Sequence, residues 1–378
     1  MTEIFLIIFF ISVLLFFLGS GIWVAISMIG VSTIGMMLFT SRPVGDAMAT
    51  TIWGTSSSWT LTALPLFVWM GEILFRTKLS ENLFAGLSPW MQKLPGGLIH
   101  VNVVGCALFA AISGSSAATV ATVGKMSIPE LRKRKYPEKI LLGSLAGSGT
   151  LGLLIPPSII LIIYGVTVQE SIAKLFIAGI IPGIMIALIF MSYVMIWSLI
   201  NKKSMPKYVE NFSFLEKIRK SKQLLPVIIL ISAVIGSIYT GVATATEAAS
   251  LGVVGALILS YFQKSLTIET FKQSLLGATK TSCMIAFILA GSTFLSLAMG
   301  FTGLPRNLAI WIQNMELSPY VLIFVLMIFY IILGMFLDGI SAVVLTMAII
   351  EPMIRQAGFD MIWFGIFLVI VVEMAQIT

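Results

Sequence analysis

AISGSSAATVATVGKMSIPELRKRKYPEKILLGSLAGSGTLGLLIPPS, residues 111 to 158, is the stretch whose reading decides the fold. It sets two breaks rich in small and hydroxyl-bearing residues, Ser113-Gly114-Ser115-Ser116 and Gly147 to Ser158, inside apolar segments and on either side of a basic turn. In lipid every backbone N–H and C=O needs a partner. Irregular backbone at membrane depth is therefore tolerated only where protein buries it or where it lines a watery or ion-binding cavity. An interrupted helix offers N–H groups at one end of its gap and C=O groups at the other, which suit an anionic solute and a small cation respectively. The stretch reads as half of a transport site.

Composition sets the medium. Of 378 residues, 58% are hydrophobic and 10% charged, and the mean hydropathy is +1.05; an ordinary soluble globule is excluded. Outer-membrane barrels show segments of roughly ten residues alternating apolar and polar, and that alternation is missing here. The expectation is an all-α polytopic membrane protein embedded in a lipid bilayer. The formal charge of +7 comes from basic residues in short loops between apolar runs, where it reports orientation and implies no nucleic acid partner. Cys106 and Cys283 lie within apolar runs without metal-ligand spacing and read as packing residues. The first run, Ile4 to Leu18, lacks a basic leader and a small-residue cleavage site and reads as a retained span.

Apolar runs near membrane-spanning length fall at 4–19, 22–40, 60–75, 139–165, 178–200, 223–240, 242–262, 280–301 and 361–378. Two other stretches, 98–130 and 319–354, carry a break near the middle, Ser113 to Ser116 in one and Asp338-Gly339 in the other. Both read as re-entrant helical hairpins; the plainer alternative is a pair of short spans in each. Basic residues at 132–135 and 139, and again from Lys202 to Lys222, place those loops in the cytoplasm. Counting spans outward puts the ends of the second hairpin, near Glu316 and Asp360, outside. The two hairpins thus enter from opposite faces and the N-terminus lies outside, a scheme that Arg42 fits poorly. Trp90-Met91-Gln92 and Trp311-Ile312-Gln313 precede the two hairpins. Gly114-Ser115-Ser116-Ala117 matches Gly339-Ile340-Ser341-Ala342, and Ile128-Pro129 lies near the register of Glu351-Pro352. Inverted repeats of this kind mark secondary transporters with a site at the repeat interface. The step from Pro129 to Pro156-Pro157, taken from Pro352, lands just past Thr378, so the second broken helix is expected to continue beyond the chain.

Four segments in order, GSLAGSGTLGLLIPPS (143–158), GVATATEAASLGVVGAL (241–257), LGMFLDGISAVVLTMAIIEP (333–352) and EMAQIT (373–378), carry a family resemblance. Together they are similar to the large (M) membrane subunit of tripartite ATP-independent periplasmic (TRAP) transporters, over nearly the whole chain. Ala245 stands where members often have proline, and members continue past Thr378 with a Pro-Pro pair. The resemblance implies a sodium-driven importer of an organic acid in the bacterial inner membrane, not an enzyme. Its partners would be a periplasmic substrate-binding (P-type) protein and a small membrane (Q-type) subunit. It also implies an elevator, in which hairpins and broken helices move past a scaffold. The residues divide accordingly: scaffold at 1–75, a first transport repeat of arm, hairpin and broken helix at 76–179, scaffold with a cytoplasmic loop (201–222) at 180–262, and a second transport repeat at 263–378. Amphipathic arms are expected at Thr77 to Lys93 and Leu304 to Glu316, where Arg76, Lys78, Lys93 and Arg306 flank Trp90 and Trp311.

Sodium is a hard cation, suited by hydroxyls and by carbonyls freed at glycine and proline breaks. The resemblance puts one ion site on Ser113, Gly152, Ile155 and Pro157, and a repeat-related one on Gly334, Ala375 and Thr378. The plain reading of any single glycine or serine among them is close helix packing. An anionic substrate would meet hydroxyls and helix N-termini, first Ser115, Ser116 and Ser158, with Ser113 shared. Asp338, charged in mid-stretch, is either functional or a cap for the second half of its hairpin. Glu247 reads as a hydrogen-bond partner of a neighbouring helix, with ion coupling as the alternative, and His100 as an interfacial residue. An intramembrane serine protease needs a base beside its nucleophile, and His100 is 13 residues upstream of Ser113. A channel shares the broken hairpins, but inverted repeats without a filter-like motif favour a carrier. The substrate resembles that of sialic acid members more than that of C4-dicarboxylate members.

Overall fold

Helices interrupted at the glycine and serine breaks build the described chain. The computed structural model describes residues 3–77, 79–206, 212–305, 307, 310, 318–335 and 337–377, and no strand occurs among them. The N-terminal part holds α1 (Glu3–Gly19), α2 (Val24–Phe39), α3 (Val44–Ser56), α4 (Ala63–Phe75) and the arm α5 (Leu79–Met91). The first hairpin is α6 (Ile99–Ser113) and α7 (Ser116–Lys133), followed by α8 (Glu138–Gly149), the one-turn α9 (Leu151–Leu154) and α10 (Ile159–Thr167). The middle of the chain holds α11 (Ile172–Ile200), α12 (Phe214–Ser221), α13 (Leu225–Tyr239), α14 (Ala245–Phe262) and α15 (Ile268–Thr302). The second hairpin is α16 (Pro319–Gly334) and α17 (Gly339–Gln356), and α18 (Met361–Ala375) follows it.

Among the described residues, five helices are long and apolar enough to cross a membrane, and seven if each of two bent pairs is one span. Two runs differ from expectation. The run at 60–75 is joined, at a bend of 52°, to the unforeseen α3. Hydropathy hid α3 because Asp46 and several threonines lower its average, yet Thr50, Thr51 and Thr55 turn their hydroxyls back onto carbonyls one turn earlier, which satisfies them within the helix. The run at 280–301 is only the upper part of α15, which is 35 residues long, about 52 Å at 1.5 Å per residue. Helix α15 packs along α2, α3 and α4 as well as on α17. Trp69 Nε1 donates to Ser274 Oγ at 3.3 Å, Arg76 reaches Gln273 at 3.1 Å, and Ser292 donates to the Val344 carbonyl at 2.6 Å.

The first arm forms as expected. Trp90 Nε1 donates to Ser221 Oγ at 2.7 Å, and the Lys217 ammonium sits 5.3 Å from the Trp90 ring. The second arm, Leu304 to Glu316, lies mostly outside the described residues, as does the Trp311 repeat motif.

Caps give the internal repeat its true register. Ser115 caps α7 by accepting the Ala118 N–H, and Asp338 caps α17 by accepting the Ser341 N–H; both helices are 18 residues long. From cap to cap the offset is 223 residues, and the same offset relates the in-helix prolines Pro129 and Pro352 and the α8 and α18 caps Pro137 and Asp360. The pairing of Gly114 with Gly339 is therefore two residues out, because the first break spans residues 114–115 and the second 335–338.

The two repeats interlock through α10 and α18. Tyr164 is wholly buried, its hydroxyl donates to the Met361 carbonyl at 2.6 Å, and its ring lies against Gly365, where an added Cβ would come within 2.5 Å of it. Gly365→Ala is expected to lower the midpoint of thermal unfolding in detergent, with an overpacking cost of about 1–3 kcal/mol. Gly143→Ala, where nothing lies within 4 Å, serves as the neutral control.

Candidate functional site

Backbone approaches backbone where the first hairpin meets the broken helix. Gly114 closes α6 in the left-handed region at φ +59°, and an added Cβ there would lie 2.8 Å from the Pro157 carbonyl oxygen. The Ile159 N–H donates to the Gly114 carbonyl at 3.3 Å. At Gly152 an added Cβ would lie 2.7 Å from the peptide linking Ser115 and Ser116. Neither position has room for a side chain. The second hairpin repeats the arrangement: Gly334 abuts Ala375, which stands at the repeat offset from Gly152, and Gly339 abuts Val372 and Gln376.

Each proposed ligand but Thr378 has a definite place. Ser113 is buried, with its hydroxyl 2.9 Å from Thr119 Oγ1 and 3.2 Å from the Ser115 carbonyl. Ile155 is extended and ends α9, and Pro157 turns its carbonyl toward Gly114. Ser158 is wholly buried; it caps α10 and donates to the Leu153 carbonyl, away from any open space. Thr378 lies outside the described residues. The donor set near the first tip, hydroxyls and peptide carbonyls without a formal charge, fits a small hard cation. The lack of a side chain at Gly114 and Gly152 is what lets these oxygens gather.

Ser115, Ser116 and Asp338 come together, whereas Ser113 and Ser158 do not join them. The three border one cavity of about 1370 Å3, lined also by Trp23 to Ala25 and by residues of α15 from Lys280 to Ile288. Asp338 is exposed to it and still caps α17 through a 3.1 Å bond from the Ser341 N–H. Its two readings are thus met by one geometry. Ser116 donates to the Thr150 carbonyl at 3.4 Å.

Sequence reasoning missed Lys280 and Gln376, which also border the cavity. Lys280 was read as the flank of a span, although its place 12 residues into a continuous helix was available as a signal. Cys283 faces the same space, whereas Cys106 is buried packing. Glu247 bonds not to a neighbouring helix but to its own N-cap Thr244, at 2.8 Å to both N–H and hydroxyl. His100 is not interfacial: it is wholly buried, with Nε2 2.7 Å from the Pro95 carbonyl.

Residues 10–378 match the family described as the DctM component of tripartite ATP-independent periplasmic transporters. The chain belongs to that family. Among similar members of this permease family, the C4-dicarboxylate TRAP transporter large permease protein of Pseudomonas aeruginosa is 32% identical over 344 residues, 91% of this chain and 80% of its own length. The sialic acid TRAP transporter large permease protein of Vibrio cholerae is 30% identical over 352 residues, covering 92% and 81%. In fold alone the chain resembles the crystal structure of the Alcanivorax borkumensis YdaH transporter, with a TM-score of 0.59 over 86% of this chain and 75% of that one at 11% identity. The chain is thus a multi-pass TRAP large permease, and the cavity between the hairpin tips is its candidate site.

Asparagine caps a helix about as well as aspartate, whereas alanine costs about 1 kcal/mol. Asp338→Asn is accordingly expected to leave the unfolding midpoint unchanged and to lower solute uptake about tenfold, the worth of one charge-assisted hydrogen bond. Asp338→Ala lowers both. Full uptake by the asparagine variant would reduce Asp338 to a cap.

Proposed function

We propose that this permease imports an organic carboxylate across the bacterial inner membrane, driven by sodium and delivered by a periplasmic substrate-binding protein, with a small membrane subunit as partner. The observation that carries the reading is Lys280 standing in one cavity with the tips of both hairpins. A carboxylate there meets the ammonium of Lys280 and the hydroxyls of Ser115 and Ser116. Asp338 favours substrates that donate, since its carboxylate accepts from hydroxyl or amide N–H groups and repels a second carboxylate. This supports a hydroxylated monocarboxylate, with sialic acid the first to test and a C4-dicarboxylate the runner-up.

Ser113, Gly152, Ile155 and Pro157 would hold one sodium and Gly334, Ala375 and Thr378 the other. Sodium bound there would supply positive charge beside the tips that favours the substrate anion. The chain's own part is positional. The first hairpin tip is locked to its broken helix, so tip, ion site and substrate hydroxyls move as one body past the scaffold in an elevator step.

Uptake of radiolabelled sialic acid into proteoliposomes holding the permease, its small subunit and its binding protein is expected only with an inward sodium gradient. Lys280→Gln is expected to raise KM about tenfold or more, again the worth of a charge-assisted hydrogen bond, with the unfolding midpoint unchanged. Sodium-dependent uptake of a dicarboxylate alone would replace the substrate. Flux indifferent to the gradient and the binding protein would turn the reading toward a channel.

A further inference from the structure

A second cavity, of about 910 Å3, opens beside the arm rather than at the hairpin tips, between the end of α4, α5, α7 and the loops near Phe212 and Ser265. Four cations border it: Arg76, Lys125, Arg134 and Lys220. Glu72 pairs with Arg76 at 3.0 Å and Glu130 with Arg134 at 3.8 Å, whereas Lys125 and Lys220 have no carboxylate partner among the described residues. Two positive charges are left without a carboxylate at the border of the space, the Lys220 ammonium lying 3.9 Å from the centre of the Phe212 ring. The Thr122 hydroxyl, on the same wall and 4% exposed, has no hydrogen-bond partner, and neither has the buried Nε of Arg76. Unpartnered buried donors beside uncompensated cations are an anion site waiting to be satisfied.

The lining also carries the phenyl rings of Phe75, Phe84 and Phe212, the last beneath the Lys220 ammonium. A free phosphate or carboxylate gains nothing from phenyl rings, and an acyl chain gains nothing from four cations. A molecule carrying both uses the whole cavity. Beside it Trp90 of the arm and Lys217 of α12 form the tryptophan and lysine mix of a membrane interface, and the basic loops place this end on the cytoplasmic side. We propose that the cavity seats the phosphate headgroup of an anionic phospholipid from the cytoplasmic leaflet, with its acyl chains against the phenyl rings. The headgroup would tie α7, the second half of the first hairpin, to the arm and to α4, and so hold that hairpin in its present position.

The test uses purified, delipidated permease in detergent, titrated with dihexanoyl phosphatidylglycerol, dihexanoyl phosphatidylcholine or inorganic phosphate. Adducts are read by native mass spectrometry and the thermal unfolding midpoint alongside. Phosphatidylglycerol is expected to form an adduct and to raise the midpoint by mass action, and phosphatidylcholine to bind about tenfold more weakly. Lys125→Gln with Lys220→Gln abolishes the preference, and Lys125→Arg with Lys220→Arg keeps it. Should the glutamine pair fail to fold, the arginine pair and the lipid ratio on the parent protein still decide. Equal binding of the two lipids, or a preference that survives the glutamine pair, overturns the proposal. A shift reproduced by inorganic phosphate alone also overturns it, in favour of a free anion.

Discussion

Everything near the cavity depends on backbone that no lipid could satisfy. At the first hairpin tip the chain leaves helical hydrogen bonding for two residues, and at Ile155 to Ser158 for four. An unmet peptide group in hydrocarbon costs several kcal/mol, so the breaks survive only because they meet each other. The Ile159 N–H goes to the Gly114 carbonyl, and the Ser158 hydroxyl takes the Leu153 carbonyl. Such contact requires main chain to touch main chain, which Gly114 and Gly152 permit and any side chain would prevent. Hairpin and broken helix are for this reason a single mechanical unit.

The same constraint explains what could be read in the sequence. Clustered glycine, serine and proline inside apolar runs are costly unless structural, so both hairpins, the first broken helix and Ser115, Ser116 and Asp338 were legible. Features that satisfy themselves locally were not. The hydroxyls of Thr50, Thr51 and Thr55 disappear into α3, Glu247 into its own cap and His100 into the Pro95 carbonyl. Lys280 was lost for a different reason: a window of hydropathy stops at a charge, and α15 does not. The register of the repeat slipped by two because matching glycines compares residue types, whereas matching caps compares the hydrogen bonds that fix where a helix begins.

With the register corrected, the inequality of the two halves becomes informative. The first hairpin restarts its helix on a neutral hydroxyl, Ser115, and the second on a carboxylate, Asp338. Equal backbones therefore present unequal chemistry to one cavity. The first tip presents the Ser115 and Ser116 hydroxyls, while the second adds to its Ser341 hydroxyl a carboxylate, Asp338, which accepts only. The formal negative charge of the cavity therefore lies on one side of it, and the Lys280 ammonium is the cation that faces it.

Lys280 adds the element that position alone controls. Helix α15 is fastened to α4 through Trp69 with Ser274 and Arg76 with Gln273, and to α17 of the second hairpin through Ser292 with the Val344 carbonyl. Lys280 stands between these two fastenings, on a helix that touches both the N-terminal helices and a hairpin. Attraction between unit charges falls with distance and with exposure to water. What the ammonium adds to the cavity is therefore set by how α15 is held between its two anchors, and not by the hairpin tips alone.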